Sequence, residues 1–108
     1  MAKTILIGLD GATFTILDPL MAGGVMPVLR DIVADGVRGV LRSVIPPLTP
    51  PAWTSLMTGK RPGEHGVFDF FQKESPGSRY FRFTTSHDVQ SATIWSMAGG
   101  CGLRSNIL

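Results

Sequence analysis

Alternating strand-like and helix-like stretches predict an α/β layered fold with a mainly parallel sheet. Three observations carry that expectation. Thr4 to Leu9 is a near-continuous apolar run that stops at Asp10-Gly11, the pattern of a strand buried on both faces. Two amphipathic stretches follow it, each ended by glycine. Val37, Val40, Leu41, Val44 and Ile45 then give a second stretch of β-branched and aliphatic character.

The elements follow in order. Phe14, Leu17, Leu20 and Met21 recur at helical spacing before Gly23-Gly24, which predicts a helix over Thr13 to Ala22. A second helix is expected from Pro27, a favourable first-turn residue, through Val28, Leu29, Ile32 and Val33 to a stop at Gly36. Pro46-Pro47 closes the second strand, and Leu48-Thr49-Pro50 is a loop. Pro51 to Met57 reads as a helix with Gly59 just beyond its end, so Thr49 stands at a helix N-terminus. Lys60 to Gly66 reads as a loop, Ser75 to Ser78 as a turn-rich break, and Tyr80 to Phe83 as a short strand. Gln90 to Ala98 is expected to be a helix capped by Gly99-Gly100, and Leu103 to Leu108 a strand barely begun. Two or three strands make a poor parallel sheet, so the fold is expected to be incomplete within 108 residues, a single segment spanning 1–108.

Composition narrows the classes. Hydrophobic residues make up 44% and charged residues 17%, which excludes a disordered chain. The ten Lys and Arg against eight Asp and Glu are scattered, so nothing marks a nucleic-acid footprint. No run approaches the length of a membrane span, and the start lacks the cleavage pattern of a signal peptide. Cys101 is the single cysteine, which rules out an internal disulfide framework or a cysteine-only zinc site within one chain and favours a reducing compartment; with no export signal seen, a cytoplasmic setting is expected. Unpaired sheet edges leave a homo-oligomer open as a partner state.

Few residues stand out chemically. Asp10 lies at the carboxyl end of the first strand, where open α/β sheets place ligand-binding groups; capping the following helix is the alternative. Thr49 is bracketed by Pro46, Pro47, Pro50 and Pro51, which stiffen its loop, and a helix start nearby would turn amides and a positive dipole end toward an anion. A role as a simple helix cap competes with that reading. Thr54, Ser55 and Thr58 are expected to bond backbone carbonyls or to cap. His65 and His87 are lone loop histidines, more often structural than ligands or bases. Met21, Met26, Met57 and Met97 with Trp53 and Trp95 read as core fillers, and Phe68, Phe70 and Phe71 as core or pocket wall with core favoured. Gly8-Leu9-Asp10-Gly11 has neither a dinucleotide fingerprint nor a phosphate-loop lysine.

Order and spacing add more. Ile7-Gly8-Leu9-Asp10-Gly11, then Pro46-Pro47-Leu48-Thr49-Pro50-Pro51-Ala52-Trp53-Thr54-Ser55-Leu56-Met57-Thr58-Gly59, then Arg61-Pro62-Gly63-Glu64-His65-Gly66-Val67 resembles the type I phosphodiesterase and nucleotide pyrophosphatase family of the alkaline phosphatase superfamily. The resemblance implies a partial alkaline-phosphatase-like fold and a metal-dependent hydrolase of small-molecule phosphoesters. It implies two divalent ions, zinc or alternatively manganese, and a threonine nucleophile that passes through a covalent phospho-enzyme. Thr49 matches the family's nucleophile, which is also a metal ligand, and Asp10 matches a metal-binding aspartate. His65 matches the His-Gly motif, where the expected role is to brace the loop. Phe70 stands where many nucleotide-cleaving members carry an asparagine, so the substrate is not expected to be confined to nucleotides. The family's further aspartate and histidine ligands have no counterpart in these 108 residues, so the chain is expected to carry part of the site and to be inactive alone. A non-catalytic binding or assembly module of the same fold is the alternative.

Overall fold

Proline and glycine punctuation sets the helix boundaries. The computed structural model describes residues 3–108, which divide into two units at the Leu41–Arg42 junction. In the first unit, α1 (Phe14–Ala22) starts after an extended Thr13 and stops at Gly23, whose N–H donates to the Pro19 carbonyl at 2.9 Å. The Asp10-Gly11 turn precedes it, with Gly11 at φ 67° and the Thr13 amide donating to the Gly11 carbonyl at 2.9 Å. Helix α2 (Pro27–Asp35) carries Pro27 at its first position, where the missing N–H costs nothing, and packs against α1. Met21 is the buried hydrophobic residue of this pair, 6% exposed. Arg38 donates to Asp18 at 2.8 Å and lies 3.8 Å from the Phe14 ring centre.

The second unit is built around α3 (Thr49–Thr58) and the one-turn helix α4 (Pro62–His65), which pack together. Gly59 at φ 67° ends α3 in the left-handed conformation and donates to the Ser55 carbonyl at 2.8 Å. Beyond α4, β1 (Phe71–Lys73) pairs antiparallel with β2 (Phe81–Phe83), matching Phe71 with Phe83, Gln72 with Arg82 and Lys73 with Phe81. The Phe71 and Phe83 rings sit 4.8 Å apart. A 3-10 turn over Ser86–Asp88 follows, where Asp88 accepts from Arg82 at 2.9 Å and from the Thr85 amide at 2.7 Å. The Arg82 guanidinium, and then the Thr85 amide, hold the Asp88 carboxyl well below the usual carboxylate range. Helix α5 (Ile94–Gly100) starts at Thr93, whose hydroxyl accepts from the Ser96 amide.

Four expectations change. The sheet is a two-stranded antiparallel hairpin, and among the described residues no parallel pairing forms. Residues 4–9, 37–45 and 103–108 carry no strand pairing; Ile5 is 83% exposed, and Val37, Val40 and Leu41 are exposed as well. A strand apolar on both faces is held only by neighbours, and here these runs have none among the described residues. Residues 62–65 form α4 rather than loop, since Pro62 at the first position and Gly66 just beyond the end frame a single turn. Helix α5 begins later than expected because Thr93 supplies its cap, and it runs through Gly99-Gly100 to its C-cap at Cys101. Phe68, Phe70 and Phe71 are exposed rather than core, because the described core is small, and Phe70 takes the alternative role of pocket wall. Among the described residues, no helix is long and apolar enough to cross a membrane.

Gly66 carries a specific packing constraint. Its φ is 80°, and a Cβ there would lie 3.1 Å from the Gln90 side-chain amide and 3.4 Å from the Asp88 carbonyl oxygen. Gly77, at φ 87°, has open space around the same position. Gly66→Ala is therefore expected to lower stability by about 1–2 kcal/mol from the left-handed backbone alone, and by more than Gly77→Ala, as read from paired urea melts.

Candidate functional site

Helix α3 begins two residues earlier than the sequence suggests, and this moves Thr49 from the preceding loop onto its first position. Leu48 caps it with extended backbone, and the Ala52 amide closes the first helical bond onto the Leu48 carbonyl at 3.1 Å. Pro50 and Pro51 then fill the second and third positions. Both have fixed φ and neither carries an N–H. Of the three first-turn positions, only Thr49 therefore has an amide hydrogen. The amide-rich anion cradle expected from the sequence is reduced to one such amide and the positive end of the helix dipole. The prolines supply rigidity instead of donors. Thr49 is half-buried, and Pro51 beside it is fully buried.

Along α3, Thr54 Oγ1 donates to the Pro50 carbonyl and Thr58 Oγ1 to the Thr54 carbonyl, both at 2.7 Å, as their helical setting suggests. Ser55 does something else: its hydroxyl lies 2.8 Å from His65 Nε2. His65 is 0% exposed. Its Nδ1 accepts the Val67 amide at 3.2 Å, so in the neutral ring Nε2 holds the proton and donates to Ser55. Burial pushes the imidazole below its ordinary value of 6.5, against smaller opposing effects of nearby backbone, including that of Pro51. With both nitrogens engaged, His65 serves as a brace rather than a base or a ligand. Glu64 helps fix the same turn, accepting the Arg61 amide at 3.1 Å, and that bond, followed by Lys60, keeps its carboxyl below the usual range. The pairing of Ser55 with His65 was not legible in the sequence, because it joins two helices across a turn. The Pro62 and Gly66 frame around Glu64-His65 was the available signal.

Asp10 is exposed in its turn in the first unit, three residues ahead of Thr13, which takes the cap position of α1. His87 lies exposed in the 3-10 turn, and Cys101 is exposed after α5. Among the described residues, no three His, Cys, Asp or Glu side chains gather as a metal site would require. A cleft of about 600 Å³ runs along α3 from Pro50 to Thr58, walled by Trp53, Met57, Phe70, Phe83 and Trp95. Its lining holds hydroxyls but no charged side chain. Trp53, Met57 and Trp95 are thus partly exposed cleft walls, and Met97 is exposed, where a core role was expected for all of them.

Comparison with known proteins gives one match. The family model for type I phosphodiesterase / nucleotide pyrophosphatase matches residues 4–108. No match was found among curated proteins or among solved structures.

Two expectations follow from the His65 environment. Removing the Ser55 hydroxyl strands a buried donor, so Ser55→Ala is expected to cost about 1–3 kcal/mol of stability, seen in denaturant melts. Because the folded imidazole binds a proton less readily than the unfolded one, the unfolded state takes up more protons as pH drops. The stability that His65 contributes is complete above pH 6.5 and declines below it toward the lowered folded value. Melting temperature should therefore fall between pH 7 and pH 5, with a shallower slope in His65→Gln; equal slopes would show that the imidazole is not the group responsible.

Proposed function

Because the chain belongs to the type I phosphodiesterase / nucleotide pyrophosphatase family, we propose that it takes part in metal-dependent hydrolysis of small-molecule phosphoesters with Thr49 as the nucleophile. The observation that carries this reading is the position of Thr49, first residue of a ten-residue helix whose next two residues are prolines. A hydroxyl there has a fixed backbone beneath it and a positive dipole end beside it. Thr49 Oγ1 bonds to phosphorus as the bond from phosphorus to the departing oxygen breaks, and the hydroxyl proton passes through solvent to that oxygen, which leaves as the alcohol. Water then bonds to phosphorus as the bond to Oγ1 breaks, the remaining phosphate ester leaves, and a proton of that water passes through solvent to Oγ1 to restore the hydroxyl. The fixed first turn keeps the nucleophile from wandering between the two displacements.

The family's chemistry calls for divalent ions, and Asp10 and Thr49 are the residues of this chain proposed to bind them. Zinc, or alternatively manganese, is the proposed metal. Two oxygen donors are fewer than such an ion takes from protein, and no group of three His, Cys, Asp or Glu that could hold one occurs among the described residues. The residues present do not by themselves make up the metal site, and no step above is routed through it. The remaining ligands, and the parallel sheet that would cover residues 4–9 and 37–45, are proposed to come from further residues of an alkaline-phosphatase-like domain. The segment 1–108 is then the amino-terminal part of that domain, and cytoplasmic placement remains part of the same proposal. The exposed apolar runs also favour a second reading, a non-catalytic assembly module of the same fold that forms oligomers through its sheet edges.

Thr49→Ala in the intact protein is expected to lower turnover of a chromogenic phosphodiester by at least about a thousandfold, with an unchanged melting profile. Acid-quenched reactions with a labelled phosphoester should trap phosphate on Thr49 in the unsubstituted protein. Full activity in the variant would remove the nucleophile role; no turnover and no trapped phosphate in either protein would leave the assembly reading standing.

A further inference from the structure

We infer that His65 is a positioning residue for Thr49, acting through the opposite face of α3; this rests on the reading of Thr49 as nucleophile. Pro51 and Ser55 are four residues apart and so share one face of the helix. That face is the one turned to the imidazole: Ser55 Oγ is 2.8 Å from Nε2, Pro51 is fully buried, and the Pro51 backbone acts on the ring. Thr49 lies about 200° round the helix from Pro51, at about 100° per residue. His65 thus grips α3 one turn beyond Thr49, on a face turned away from it.

Pro50 and Pro51 stiffen the first turn itself, so Thr49 is displaced when α3 moves as a whole rather than by local bending. The imidazole is itself immobilised from the far side. Val67 donates to Nδ1, Gln90 donates to the His65 carbonyl at 3.0 Å, and Ser91 Oγ donates to the Glu64 carbonyl at 3.3 Å. Rotation of α3 about its axis would break the Ser55 contact, and that rotation is the motion that displaces Thr49.

Two substitutions separate the two ends of the brace. In His65→Gln the side-chain amide stands near the Nε2 position and keeps a donor for Ser55; in His65→Asn the side-chain oxygen stands near Nδ1 and keeps an acceptor for Val67. In the intact protein, His65→Asn is expected to lower kcat on a chromogenic phosphodiester by about tenfold to a hundredfold with KM little changed, while His65→Gln stays within about threefold of the unsubstituted protein. An activity-independent readout uses methyl-labelled threonine NMR, with the Thr49 signal identified by its absence in Thr49→Ala. That signal should shift or broaden in His65→Asn and in Ser55→Ala, which leaves the Val67 bond in place, and hold its position in His65→Gln. A purely structural role would lower the melting temperature of both His65 variants alike and leave the kcat of folded protein and the Thr49 methyl unmoved; that pattern overturns the inference. Unchanged turnover in Thr49→Ala would instead sink the nucleophile reading, with the methyl signal still deciding whether the brace reaches Thr49.

Discussion

A fully buried imidazole between two helices imposes a constraint on everything around it, since each ring nitrogen must find a partner or burial becomes costly. His65 meets that demand with Ser55 on α3 and the Val67 amide beyond α4. Its carbonyl takes the Gln90 amide, and Glu64 beside it takes the Ser91 hydroxyl. One residue therefore ties together α3, the turn after α4 and the segment leading to α5. Gly66 has its positive φ and its tight approach to Gln90 because the chain must leave this ring immediately and run back past it.

The start of α3 shows a second constraint, set by proline. A helix N-terminus ordinarily offers several unpaired amides to an anion. Here the second and third positions are Pro50 and Pro51, so that supply is given up. What remains is a backbone with few accessible conformations and a hydroxyl at its first position. Such an arrangement orients a group well and stabilises developing negative charge poorly. The chemistry proposed for Thr49 accordingly places charge stabilisation on groups other than the helix amides, in keeping with a metal-dependent family.

How much of this was legible depended on the range of the interaction. The ends of α1, α2 and α3 were readable because proline and glycine act locally: Pro27, Gly36 and Gly59 mark boundaries through their own backbone preferences. The placement of Thr49 at a helix start followed from the same signals, though Thr49 lies inside the helix and not before it. The strands were less legible for the opposite reason. An apolar run such as residues 4–9 states only that it needs neighbours on both faces, and the pairing it adopts is decided elsewhere. The hairpin β1–β2 went half unseen: both strands are three residues long, and Phe71 reads as core or pocket wall alongside Phe68 and Phe70 rather than as the start of a strand. The bond between Ser55 and His65 was invisible for a related reason: neither residue has a local preference that names the other.

The cleft along α3 adds a last step. Its walls are aromatic and aliphatic, its rim is hydroxyl, and no charged side chain lines it. The rim hydroxyls of Thr54, Thr58, Thr84 and Ser91 already donate to backbone carbonyls of their own unit. A phosphate would find neither a cation nor a spare hydroxyl hydrogen among these four, and would leave water without compensation. Pro50 ends this cleft and also precedes the buried Pro51, so the residue after Thr49 faces a charge-free wall while the one after that faces the brace. Around the proposed nucleophile the chain supplies stiffness and an apolar flank. The cleft wall beside it carries no charged side chain, and on the proposed reading the second unit is a scaffold for a nucleophile whose activating charge the cleft does not bring.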